Sequence, residues 1–148
     1  MMTDIDLGFA LAASSGEAEE TFSLMQNVIR AIVDKYGQSS MRYMTIVFGE
    51  NATVSFSFAD TFSSDENLKA FIASLRRSQG LPDVEKALKE ARNVFYRNAR
   101  PEAKKILVLF MDKDNAGDKG KSLIAAKGLE IDGVKVWRPW MAQLLFKY

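Results

Sequence analysis

A chain of 148 residues has the length of one domain and can bury roughly two-thirds of its unfolded surface, so a single core suffices. Its 47% hydrophobic and 26% charged content exclude disorder and fibrous repeats, and a formal charge of +1 supplies no field to draw it onto nucleic acid or an anionic membrane. It holds no histidine and no cysteine, which excludes Ser-His-Asp and Cys-His catalysis, histidine- or thiolate-bound zinc, and a disulfide framework.

Leu7 to Ala13 is an apolar run without polar alternation, the pattern of a strand buried on both faces, and it ends in Ser14-Ser15-Gly16. Over 17–36 the spacing of Phe22, Met25, Val28, Ile29, Ile32, Val33 and Tyr36 predicts a helix. Glu17, Glu19 and Glu20 suit its N-terminal dipole, and Gly37 its C-cap. Tyr43 to Phe48 reads as a second strand, turning at Gly49-Glu50-Asn51 into Ala52 to Phe58. There Val54, Phe56 and Phe58 alternate with Ser55 and Ser57, as in a half-exposed antiparallel edge strand of a hairpin. Ser63-Ser64-Asp65 caps a helix running to about Arg76, with Leu68, Phe71, Ile72 and Leu75 on its inner face. The next helix spans Pro82 to Asn98, with proline in its first turn and a stripe of Val84, Ala87, Leu88, Ala91, Val94 and Phe95. Ile106 to Met111 is the second fully apolar strand, ending at Asp112. A polar loop with Asp114, Asn115 and Asp118 leads to a short helix around Ser122 to Lys127, and Gly133 to Trp137 is the last strand.

This order predicts an α/β fold, a Rossmann-like three-layer αβα sandwich whose mostly parallel sheet has one antiparallel edge strand. Ligands of such sheets bind outside the carboxyl ends of strands near the topological switch point, here Ser14-Ser15-Gly16 and Asp112. Basic residues at Arg76-Arg77 and across Arg92, Arg97, Arg100, Lys104 and Lys105 have the spacing of a solvated helix face and its exit loop. Neither nucleic-acid binding nor membrane insertion is expected, since no apolar run approaches the ~20 residues of a membrane span. The first six residues lack a basic region followed by an apolar stretch, so no signal peptide is read in them. The first strand begins almost at once, as in a domain taken from a longer protein.

The segments together resemble a von Willebrand factor type A domain, from Asp6 to Trp137. Asp6-Leu7-Gly8-Phe9-Ala10-Leu11 resembles the family's first strand and Gly16 to Phe22 the start of its first helix. Gly80-Leu81-Pro82-Asp83 with Lys86-Ala87-Leu88 resembles its third-ligand loop and helix. Ile106 to Asp112 resembles the strand that ends in its metal-site aspartate, and Gly133 to Trp137 the strand after it.

The resemblance implies a metal-ion-dependent adhesion site, in which a D-x-S-x-S motif, a later threonine and a later aspartate give oxygen ligands to Mg²⁺. This chain matches that pattern at Ser14 and Asp112 only. Ala12 stands at the first aspartate, Gly16 at the second serine and Pro82 at the threonine. The expectation is therefore a degenerate site with no cofactor held tightly. Weak Mg²⁺ or Ca²⁺ binding would draw substitute oxygens from Ser15, Asp83, Asp114 or Asp118.

The resemblance further implies a single domain over 1–148 that is a non-catalytic interaction module. Its partner would be a matrix or adhesion protein, and its location extracellular or secreted as part of a larger protein. The alternative is a metal-dependent or nucleotide-handling α/β enzyme sharing only the architecture, although no G-x-G-x-x-G or G-x-x-x-x-G-K-[ST] phosphate loop occurs. Asn51-Ala52-Thr53 is an N-glycosylation sequon at the expected hairpin tip. Phe48, Phe56, Phe58 and Phe62 are read as covered by a helix rather than as a binding patch. After Trp137 the family's final helix and strand have no counterpart, and 138–148 is an atypical tail. Trp140 to Tyr148 is expected to cover the incomplete edge or to pair with a second copy as a homodimer.

Overall fold

The computed structural model describes residues 3–12, 19–111 and 119–138. Five strands, β1 (Ile5–Ala12), β2 (Met41–Phe48), β3 (Ala52–Phe56), β4 (Lys104–Phe110) and β5 (Val134–Trp137), form one sheet in the order β3-β2-β1-β4-β5. All neighbours are parallel except β2 and β3, which form the antiparallel hairpin. Four helices, α1 (Glu19–Tyr36), α2 (Asp65–Ala73), α3 (Val84–Asn98) and α4 (Lys119–Ile131), complete the Rossmann-like three-layer arrangement.

The two apolar runs form central strands because a strand covered on both faces must be apolar at every position. Leu7, Phe9 and Leu11 of β1 join Phe22, Met25, Ile29 and Val33 of α1 and Leu68 and Ile72 of α2 in one core. Ala10 and Ala12 face the opposite core, with Leu107 and Leu109 of β4 and the stripe of α3. Small residues in β1 let α3 approach. At Gly8 an added Cβ would lie 2.7 Å from Met44 Cε.

Several boundaries differ from expectation. α3 begins at Val84, with Asp83 as its N-cap, so Pro82 precedes the cap instead of occupying the first turn. α2 ends at Ala73, and Gln26, buried in the middle of the α1 stripe, donates to the carbonyls of Ile72, Ala73 and Leu75 at 2.9–3.3 Å. Those bonds satisfy the orphan acceptors of the helix end. Val28 and Tyr36 of α1 are exposed, because the sheet covers a narrower arc of the helix than the apolar stripe spans. α4 is twice the expected length, with Ala126 and Leu129 turned inward while Leu123, Ile124 and Ile131 face out.

A register shift between Thr45 and Ile46 also breaks the simple alternation in β3. The extra residue of such a bulge reverses the facing of the residues beyond it. Val54 packs on the α3 side, whereas Phe56 joins the α2 side, edge-on to Phe62 and Phe71 at 5.3 and 5.6 Å. Phe58 returns to the α3 side against Phe95. The phenylalanines are thus covered as expected, but by two different layers.

Arg100 is not part of a solvated face. Its Nε and Nη2 donate to Asp6 Oδ1 at 2.9 and 2.8 Å, and its backbone N–H donates to Asp6 Oδ2 at 2.6 Å. Asp6 is 0% exposed. Arg92 likewise holds a specific partner, Asp132 at the end of α4, through Nε and Nη2. The Arg92 hydrogen bonds keep that carboxyl below its usual range.

Candidate functional site

In the strand order, β1 has β2 on one side and β4 on the other, both parallel to it. The direction of sheet growth therefore reverses between β1 and β4, which makes their carboxyl ends the switch point. Leu11 lies opposite Phe110, so the chain leaves the two strands side by side, at Ala12 and Met111, on one rim.

Ala12 is fully buried, its methyl group part of the α3-side core. Of the expected site residues, Ser14, Ser15, Asp112, Asp114 and Asp118 lie outside the described residues, as does the juxtaposition of Ser14 with Asp112. Asp83 lies within them. Its Oδ1 accepts from Lys86 N–H at 3.0 Å, and its own N–H donates to the Gly49 carbonyl at 2.8 Å. One carboxylate oxygen is thus committed to capping α3. Among the described residues no three acidic side chains converge as a metal-binding group.

The rest of the rim is assembled by backbone. The turn from β2 to β3 is joined to the loop before α3 by Glu50 N–H to the Gln79 carbonyl at 2.8 Å and by the Asp83 bond to Gly49. Lys86 Nζ adds a 3.2 Å bond to the Glu50 carbonyl. This contact requires glycine twice. A Cβ on Gly49 would sit 2.3 Å from the Gln79 carbonyl oxygen, and Gly80 has φ +80°, a conformation side chains disfavour. Pro82 is buried, whereas Leu81 is 77% exposed. Leu81, Pro82, Asp83 and Glu85 line a shallow cavity of about 310 Å³ with Lys121 and Ser122 of α4. A second, apolar cavity of about 190 Å³ lies between Leu24, Met25 and Val28 of α1 and Leu109, Phe110 and Met111.

Leu81 was not singled out by sequence reasoning. Its place between Gly80 and Pro82 marks a loop position in the sequence, but its exposure follows from the path of that loop. Such a rim offers fixed backbone, one exposed apolar anchor and flanking charges, a surface suited to holding another macromolecule.

The sequence profile of the von Willebrand factor type A domain matches residues 6–138. Among solved structures, proximal thread matrix protein 1 from the mussel byssus is 26% identical with a TM-score of 0.77, over 93% of this chain and 37% of that one. A further structure of that protein, with a zinc-occupied MIDAS motif, is 24% identical with a TM-score of 0.74, over 92% and 35% of the two chains. The manganese-loaded TRAP protein of Plasmodium vivax shares the fold at 14% identity and a TM-score of 0.76, over 92% and 56% of the two chains. The chain thus spans little more than a third of the mussel protein's length. With the profile covering nearly the whole chain and the sheet showing the fold of these neighbours, this chain belongs to the von Willebrand factor type A family.

Proposed function

We propose that this domain is a non-catalytic protein-binding module of an extracellular matrix or adhesion protein. It engages its partner at the rim formed by the carboxyl ends of β1 and β4 and the 79–83 loop, which the turn at Gly49 and Glu50 braces from one side. Metal-dependent capture is weakened or lost. The observation that carries this reading is chemical: Ala12, at the position of the family's first aspartate, is a buried methyl group, and Pro82, at the threonine position, has no hydroxyl. With Gly16 at the second serine position, three oxygen ligands are missing from a hard-cation site that depends on them. Leu81, exposed beside them, supplies apolar contact in their place.

Calorimetric titration with Mg²⁺, Mn²⁺ and Ca²⁺ tests the metal half of the proposal, with Asp112→Ala as control. The expected result is no saturable binding in the micromolar range. Micromolar binding that disappears in the variant would overturn it. Truncating the apolar anchor, Leu81→Ala, is expected to weaken partner binding by about 1–2 kcal/mol, as for a central apolar contact.

Fold alone does not separate a binding module from an enzyme. The lack of any histidine or cysteine favours the module, because it removes the usual general base and the usual nucleophile partner. The extracellular assignment draws support from the mussel thread matrix protein. Self-association along β5, the edge strand on the β4 side among the described residues, is the corresponding proposal for a homodimer. A monomer by light scattering at high concentration would remove it.

A further inference from the structure

We infer that Asn51 is a site of N-linked glycosylation, and that the glycan stands at the outer corner of the rim, over the open edge of β3. The inference rests on the extracellular reading above. Asn51-Ala52-Thr53 is the single Asn-X-Ser/Thr triplet of the chain. A sequon is useful only where both of its outer side chains reach solvent, and the fold provides that. The Asn51 carbonyl accepts from Gly49 N–H at 3.0 Å, which closes the turn between β2 and β3 and fixes the main chain there. Asn51 and Thr53 are both exposed, while Ala52 between them is half-buried against the α3-side core. The middle residue anchors the triplet and the outer two are displayed.

The reaction needs a polyprenyl-diphosphate-linked oligosaccharide and no oxidant or reductant. A bond forms between Asn51 Nδ2 and C1 of the reducing-end sugar as the bond from C1 to the diphosphate oxygen breaks. The polyprenyl diphosphate departs with that electron pair, and one amide proton is released. The Thr53 hydroxyl is the element by which the transferase recognises the acceptor.

The position also answers a structural need. Among the described residues β3 pairs with β2 on one side only, so its other edge presents backbone groups that could template pairing with another chain. The edge is short, Ala52–Phe56, and no lysine or proline interrupts it. A glycan rooted at the residue before its first position is bulky and hydrated, and it blocks that approach without touching either core.

The test is expression of the full chain behind a secretory leader in animal cells, followed by peptide N-glycosidase treatment and mass spectrometry. Most secreted chains should lose mass on treatment and carry aspartate in place of asparagine at residue 51. Asn51→Gln and Thr53→Ala should abolish the shift, and the conservative Thr53→Ser should retain it, which guards against a variant that merely misfolds. Secreted, monomeric chain bearing no glycan would overturn the inference and leave the binding-module reading standing, because the leader forces passage through the secretory route. Recovery of the endogenous protein from the cytosol of its source cells would instead overturn the extracellular reading, and the glycan with it.

Discussion

Replacing Asp6 by asparagine probes the one fully buried carboxylate among the described residues. Its two oxygens accept three bonds from Arg100, two on Oδ1 and one on Oδ2. The same guanidinium also donates to the Ile5 and Ser40 carbonyls at 3.1 Å each, tying β1, the entry to β2 and the loop before β4 together at the end of the sheet opposite the rim. Asparagine can keep the bonds to Oδ1, but its amide group would point hydrogens at the Arg100 backbone N–H, and the charge that balances the guanidinium is gone. A buried donor without an acceptor costs about 1–3 kcal/mol, and breaking a buried ion pair from one side costs about 3–5 kcal/mol in all. Against a total stability of about 5–15 kcal/mol, that is a large fraction.

Urea unfolding followed by far-UV circular dichroism measures the loss. With a slope of about 2 kcal/mol/M, a cost of 3–5 kcal/mol lowers the midpoint by roughly 1.5–2.5 M. Arg100→Met should cost a similar amount, since it strands the carboxylate. The double variant should fall well short of the sum, with a coupling of about 2 kcal/mol or more. High salt should change little, because a buried pair is poorly screened. A midpoint shift below about 0.5 M for Asp6→Asn, or additive single effects, would refute the assignment of Asp6 and Arg100 as an internal lock.

Tyr43 donates to the Gly37 carbonyl at 2.9 Å, and burial, with smaller contributions from Asp65 and Tyr36, pushes its phenol well above the ordinary value. The folded state therefore holds this proton more tightly than the unfolded chain. Its contribution is fully present below an unfolded value of about 10 and is lost as pH rises from there toward the folded value. Tyr43→Phe should cost about 1 kcal/mol at neutral pH and flatten the alkaline loss, and parallel stability profiles between pH 9 and 11 would contradict this. Thr45 is fully buried, and its Oγ1 has no hydrogen-bond partner among the described residues. Thr45→Val should therefore be neutral or raise stability by up to about 2 kcal/mol, as read by the urea midpoint. Gly49→Ala drives a methyl group into the Gln79 carbonyl; it should cost about 1–3 kcal/mol and speed amide exchange at Glu50 and Asp83, and wild-type exchange there would count against the stitched rim.

Much of the fold was legible because it follows from local pattern. The apolar runs read as strands at 7–13 and 106–111 fall in β1 and β4 over 7–12 and 106–110, and the α3 stripe is buried at every position named from spacing. What was not legible depends on partners far away in sequence. Nothing in the spacing of Arg100 distinguishes it from Arg97, yet one meets a carboxylate 94 positions away and the other faces solvent. Val54, Phe56 and Phe58 look equivalent in an alternating strand, but the extra residue of β3 at Ser55 turns Phe56 to the other layer from Val54, and Phe58 lies beyond the strand's end at Phe56. α4 was seen only at its middle because its apolar residues ring the helix instead of forming a stripe. At the candidate site, the side-by-side carboxyl ends of β1 and β4 could be read from sequence, whereas Asp83, expected as a possible metal ligand, caps α3. The exposed Leu81 and the backbone stitching of the rim could not be read, since they arise from two loops meeting across the hairpin.

The same distinction bears on function. In this fold the strands fix where a ligand can sit, and the loops decide what it can be. Here the strand ends are apolar to their last described residues, Ala12 and Met111, both buried, so among the described residues they brace the rim. The loop before α3 is held by main-chain bonds from Gly49 and Glu50, which leaves its side chains free to vary without disturbing its path. A rim braced in this way loses little conformational freedom when a partner docks, so apolar contact at Leu81 can contribute to affinity without a metal ion to organise it. On the reading proposed above, in which metal-dependent capture is weakened or lost, the hairpin supplies the rigidity that a bound cation would otherwise give the loop.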